Sequence, residues 1–201
     1  MPQAILDLPA RLDPPRKRWI RAECAELEAS GLLVGQKLEL IEGELIKKVS
    51  KNRPHVNSGV LLLTWLIGIF GGRRVISEGP IDVAPEDNPT SEPEPDLVVL
   101  ASDISHFTSA NPGPNDLQLV IEISESTLYF DLTTKAALYA RAGITEYWVL
   151  DTARRRMILH RAPQAGHYSS VVAYGEQESV FPLAAPESFF RVGDAFPEKI
   201  Q

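Results

Sequence analysis

The apolar positions along the chain change period several times, and each change predicts an element. Residues 16–32, RKRWIRAECAELEASGL, are spaced as a helix, with Gly31 where a C-cap belongs. KLELIEGELIKKVS (37–50) alternates on both sides of Glu42-Gly43, which predicts a β-hairpin turning at that pair. Pro54 opens a strongly apolar stretch that reads as a buried helix over residues 55–70, stopped by Gly71-Gly72. RRVISEGPIDVAP (73–85) reads as one strand, kinked at Gly79-Pro80. The polar, proline-rich PEDNPTSEPEP (85–95) is a loop, PDLVVLA (95–101) a short buried strand, and SDISHFTSANPGPND (102–116) a second long loop. QLVIEISEST (118–127) carries a strand of mainly β-branched residues. A helix follows over 131–142, with Asp131 as N-cap and Gly143 at its C-terminal end, and then the strand EYWVLD (146–151). From Met157 onward come short strand-like pieces separated by Pro and Gly.

Helices and strands do not alternate regularly in this order. It therefore predicts a mixed α/β or α+β chain rather than a doubly wound fold. Residues 1–15 read as a proline-rich arm, and 16–201 as a single domain, a size that one core can serve.

Composition narrows the function. The net charge is −7, so any polyanion must be met by a local basic patch or by bound cations. The single cysteine, Cys24, excludes an internal disulfide and a cysteine-based zinc cluster, and fits a reducing cytoplasm. The opening stretch is a poor signal peptide. The longest uncharged apolar run, SGVLLLTWLIGIFGG (58–72), is shorter than the roughly 20 residues of a membrane-spanning helix. Neither a glycine-rich phosphate loop nor a nucleophile elbow is present.

Candidate chemistry begins with Glu122, a carboxylate inside a strand that otherwise looks buried. If that strand pairs antiparallel with PDLVVL, Asp96 at the start of one lies beside Glu122 at the end of the other. Parity agrees: Asp96, Val98 and Leu100 share one face, as do Val120 and Glu122. Two such carboxylates repel unless a cation or proton lies between them, and oxygen ligands in a partly open site suit magnesium. Lys135, near the start of the next helix, can reach the pair and orient a water there. Each residue alone has a plainer reading: Asp96 as a turn residue, Glu122 as the partner of an arginine, Lys135 as helix surface. The three together favour a shared site.

LELIEGELI (38–46), Pro54-His55, PDLVVL (95–100), LVIEISEST (119–127) and DLTTKAALYARAGITEYWVLD (131–151), in this order and spacing, resemble the Uma-type family of restriction-endonuclease-like proteins. That family is a divergent branch of the PD-(D/E)XK nuclease superfamily. The resemblance implies a restriction-endonuclease-like central mixed sheet flanked by helices, extra C-terminal strands, and a Mg2+-dependent site (Mn2+ as substitute) cutting DNA. It implies Asp96, Glu122 and the Ile123 carbonyl as metal ligands. The usual motif places its lysine where this chain has Ser124, and Lys135 matches a lysine migrated to the next helix. Glu44 resembles an additional catalytic acid, although a solvated hairpin residue is an equal reading. His55 matches a histidine that contacts substrate or caps the helix. A homodimer would let two nicks cut a duplex. The alternative is a fold kept as a catalytically inactive module that binds nucleic acid or protein.

Other residues have plainer expectations. Asp151 begins a turn, and Tyr147 and Trp148 pack the strand. The basic runs KKVSKNR (47–53) and ARRR (153–156) either contact phosphate or face water.

Overall fold

A strand that is apolar on both faces needs cover on both faces, and the most central strand shows how this chain provides it. The computed structural model describes residues 15–48 and 51–197, so the arm expected over 1–15 lies outside the described residues apart from Pro15. The elements are α1 (Arg21–Ala29), the hairpin β1 (Leu38–Ile41) and β2 (Glu44–Lys47), α2 (Arg53–Phe70), β3 (Val75–Ser77), β4 (Leu97–Leu100) and β5 (Leu117–Ser124). A helical segment follows, made of α3 (Leu128–Phe130), a π-helical turn (Asp131–Lys135) and α4 (Ala136–Arg141). Then come β6 (Glu146–Asp151), β7 (Arg156–Gln164), β8 (His167–Gly175) and a small pair, β9 (Ser179–Val180) with β10 (Phe190–Arg191). One six-stranded sheet runs in the order β3-β4-β5-β6-β7-β8. Only β5 and β6 are parallel, because the helical segment carries the chain back between them. The remaining pairs are antiparallel. This is the mixed central sheet with flanking helices that the family resemblance implies, in a chain whose element order predicts a mixed α/β or α+β class.

The two faces of β5 feed two cores. Leu119, Ile121 and Ile123 pack with Leu62 and Leu66 of α2 and with Trp148. Val120 packs with Val98, Leu138, Tyr139 and Ile41, beneath the helical segment and the hairpin. Alternation puts Glu122 on this second face.

The structure changes several local expectations. The strand expected over 73–85 ends at Ser77, because Glu78 turns into the left-handed region (φ 57°) and Pro80 has no N–H to continue a ladder. Residues Ile81, Val83 and Ala84 are buried without forming a strand. α1 begins at Arg21 rather than Arg16. α2 begins at Arg53, with the side chain of Asn52 accepting the His55 N–H at 3.1 Å. The pieces expected in the tail include two nine-residue strands, β7 and β8, that extend the main sheet. No helix among the described residues is long and apolar enough to cross a membrane.

Candidate active site

The site grows out of the place where the β4–β5 ladder stops. Leu97 pairs with Ile121, and continuing that register sets Asp96 opposite Glu122 and Pro95 opposite Ile123. Pro95 has no N–H to offer the Ile123 carbonyl. The Ile123 N–H donates instead to the Asp96 side chain, at 2.8 Å from Oδ2. The ladder thus ends in a carboxylate.

Asp96 is held on its cavity side by a lysine and a histidine. Lys51 Nζ lies 2.6 Å from Oδ1, and His55 Nε2 lies 3.5 Å from Oδ2. Burial pushes the Asp96 carboxyl upward, but His55 and Lys51 outweigh it and hold the group well below the usual carboxylate range. The same Lys51 ammonium donates to Glu78 Oε1 at 2.7 Å. Burial works against the charge of Lys51, and Asp96 and Glu78 more than offset it.

Glu122 sits in a drier setting. It is 5% exposed, and its two hydrogen bonds from described residues both fall on Oε1, from Lys135 Nζ at 2.9 Å and Tyr139 OH at 3.1 Å. Lys135, 3% exposed, also lies 3.0 Å from Glu39 Oε2. Burial drives the Glu122 carboxyl well above its ordinary range; Lys135 opposes the shift, while Asp131, Asp96 and Glu39 reinforce it. Burial works against the Lys135 ammonium, yet Glu122, Glu39 and Asp131 outweigh it and the net direction is upward. Lys135 therefore stays charged at neutral pH and is a donor, not a base.

The π-helical turn delivers Lys135. An extra residue per turn rotates the side chains of Asp131 and Lys135 inward, and such turns recur at functional sites. Asp131 is consequently not the N-cap that the sequence predicts: the helix starts at Leu128, and Asp131 lies inside it. Its Oδ2 accepts from Ser124 Oγ at 2.6 Å and Thr127 Oγ1 at 2.7 Å, which ties the end of β5 to the helix.

A cavity of about 500 Å³ opens over this floor, lined among others by Asp96, Glu122, Ile123, Lys135, Glu39 and His55. The structure therefore brings together five of the six residues singled out from the sequence: Asp96, Glu122, Ile123, Lys135 and His55. Glu44 is the exception. It is exposed and does not line the cavity. It shares a hairpin face with Glu39, since Ile41 pairs with Glu44 and Glu39 with Ile46, but it lies two residues nearer the turn, about 7 Å along the strand. Glu39, 7% exposed, is the acid that reaches Lys135, and its alternation with Ile41 in LELI was the available signal. Lys51 is the other addition; in its basic run Lys51 meets Asp96 and Glu78, and Lys48 meets Glu94. In the second basic run, Arg154 and Arg156 pair with Asp151 and Arg155 with Glu176. Asp151 is the buried last residue of β6, and Tyr147 and Trp148 are buried strand residues.

Among the described residues no group of three or more His, Cys, Asp or Glu side chains is arranged to hold a metal ion. The donor set to weigh is smaller: two carboxylates and one carbonyl, all oxygen, which is what a hard divalent cation takes. A cation already stands at Asp96 in the form of the Lys51 ammonium. Glu122 Oε2 has no donor among the described residues. The residues fit such an ion.

A family model described as "Uma2: Putative restriction endonuclease" matches residues 25–192. A crystal structure described as a putative nuclease belonging to DUF820 from Anabaena variabilis ATCC 29413 is similar at 16% identity. It covers 84% of this chain and 96% of that one, with a TM-score of 0.61, a likeness of fold. No curated protein matches the chain.

Proposed function

The chain belongs to the Uma2 family, and we propose that it is a metal-dependent endonuclease that hydrolyses DNA phosphodiester bonds. One observation carries the reading: Asp96 and Glu122 occupy facing positions at the end of a strand pair, with a buried lysine on the second acid. Asp96, Glu122 and the Ile123 carbonyl would hold Mg2+, or Mn2+ in its place. Bound there, a divalent cation supplies Lewis acidity toward water and toward the phosphate oxygens. An ammonium has three N–H donors; Glu122 takes one of those on Lys135, and Glu39 Oε2 stands 3.0 Å away as an ion-pair partner. A remaining donor would orient a water or offset charge on the phosphate under attack. Glu39 acts through Lys135, as a positioning residue. His55, beside Asp96, is set to meet a phosphate at the cavity edge. Lys37 and Lys47, exposed at the rim, add sequence-independent attraction for a nucleic-acid backbone. A homodimer would present two such sites to one duplex.

A second reading, a non-enzymatic binding module, has one observation in its favour: each candidate carboxylate already has a lysine partner. Plasmid cleavage with Mg2+ or Mn2+ separates the two. The nuclease reading expects metal-dependent nicking that EDTA abolishes and that Glu122→Gln lowers by roughly a hundredfold or more. Equal behaviour of wild type and Glu122→Gln would remove it.

A further inference from the structure

Two lysines hold the two candidate ligand carboxylates, and they differ in freedom. Lys135 is enclosed, and so are both of its acids. Lys51 has 28% of its side chain exposed, and it bridges Asp96, 12% exposed, and Glu78, 47% exposed. The backbone of Lys51 is fixed by the start of α2, where Asn52 is the cap and Pro54 follows in the first turn. The ammonium rides on a flexible four-carbon stem and can leave. Its second acid is held in place by unusual means. Glu78 has φ 57°, a conformation that non-glycine residues rarely adopt, and its N–H donates to the Asp96 carbonyl at 3.2 Å. The next residue, Gly79, has no room for a side chain, since a Cβ there would meet Ile76 at 2.7 Å. The end of β3 is thus built to set a carboxylate next to Asp96, and what that carboxylate holds is Lys51.

We propose that Lys51 is a built-in counter-ion of the site, whose ammonium occupies Asp96 Oδ1 until a divalent cation displaces it onto Glu78. The inference rests on the reading of Asp96 as a metal ligand. Lys51 is then a positioning residue that sets the metal affinity of the resting protein. Its charge and its hydrogen bond both compete with an incoming ion for the same oxygen. Removing the ammonium while keeping the stem leaves Asp96 available and makes the cavity more negative.

Calorimetric titration of MgCl2 and MnCl2 into the full chain, without nucleic acid, tests this. Lys51→Met is expected to tighten the dissociation constant roughly tenfold, the scale of a charge-assisted hydrogen bond. Lys51→Arg keeps the cation and is expected to stay within about twofold of wild type by the same reasoning. Asp96→Asn added to Lys51→Met is expected to remove the gain. Thermal melts confirm that each variant is folded; Lys51 is partly exposed and belongs to neither core cluster. Lys51→Met binding no tighter than wild type overturns the proposal. So does a gain that survives Asp96→Asn, and so does an absence of metal binding in every variant. The nuclease reading fails separately: a protein that binds metal more tightly as Lys51→Met but never cuts DNA keeps the counter-ion and loses the enzyme.

Discussion

Two buried glutamates on neighbouring strands show what separates a structural charge from a candidate functional one. Glu146 opens β6 and Glu122 lies near the end of β5, and because these strands run parallel the two acids sit toward opposite ends of the sheet. Glu146, 0% exposed, is fully subscribed. Its Oε1 accepts from Trp148 Nε1 at 2.9 Å and Arg161 Nε at 2.8 Å, and its Oε2 accepts from the Leu183 N–H at 2.7 Å. Each oxygen has a protein donor, and the charge is met by one guanidinium. Glu122 is almost as buried, yet its donors among the described residues fall on one oxygen, its cation is shared with Glu39, and its surroundings push it toward the neutral form. A fold that needed only a buried ion pair would be served by the first arrangement. The second puts the carboxylate in the lining of a cavity and keeps an excess of acids near one lysine, an expense in stability that suits the proposed cation site.

Mutating the two acids sharpens the contrast. The largest effect is expected at Glu146→Ala, which strands Arg161 and the Leu183 N–H. Breaking a buried pair costs about 3–5 kcal/mol, so the melting temperature falls by roughly ten degrees in a chain of this size. Cleavage per folded molecule is expected to stay unchanged. Glu122→Gln is expected to do the reverse: the nicking rate drops by about a hundredfold to a thousandfold, while the thermal midpoint moves by only a few degrees, because an amide is cheaper to bury than a crowded carboxylate. Scanning calorimetry and a plasmid nicking assay on the same preparations read both quantities. If Glu122→Gln melts as low as Glu146→Ala and cuts as well as wild type, the two acids do the same job and the distinction collapses.

What the sequence made legible was whatever local chemistry decides. The Glu42-Gly43 hairpin, the apolar α2 with its Gly71 stop, and β4 to β6 follow from turn residues and period alone. The meeting of Asp96 and Glu122 was legible too, since strand ends and side-chain parity fix it once an antiparallel pairing is assumed. The misses share a different cause. Asp131 has the composition of an N-cap, but Ser124 and Thr127 recruit its carboxylate from outside the helix, and the π-helical turn that permits this leaves no periodic trace. Glu78 in a left-handed conformation ends β3 where the pattern would continue it. Lys51 and Glu39 find their partners across the fold, just before β4 and on the helical segment, and nothing adjacent to them announces either contact.

The smallest expected effect separates Glu39 from Glu44, acids on one hairpin face. Glu39→Gln keeps the size of the side chain but removes one of the two carboxylates that fix Lys135. The ammonium then turns wholly toward Glu122, and its aim at a water or phosphate worsens. A misplaced but still charged lysine should lower the nicking rate roughly tenfold, less than removing a metal ligand, since most of its electrostatic contribution survives. The role proposed for Lys135, at the reacting centre rather than in substrate capture, puts the expected loss on kcat rather than KM. Glu44→Gln changes an exposed residue about 7 Å further along the hairpin and is expected to leave rate and stability as in wild type. Steady-state nicking by the two variants ranks them. A loss at Glu44 with none at Glu39 would mean that the hairpin presents its turn, not its open end, to the substrate.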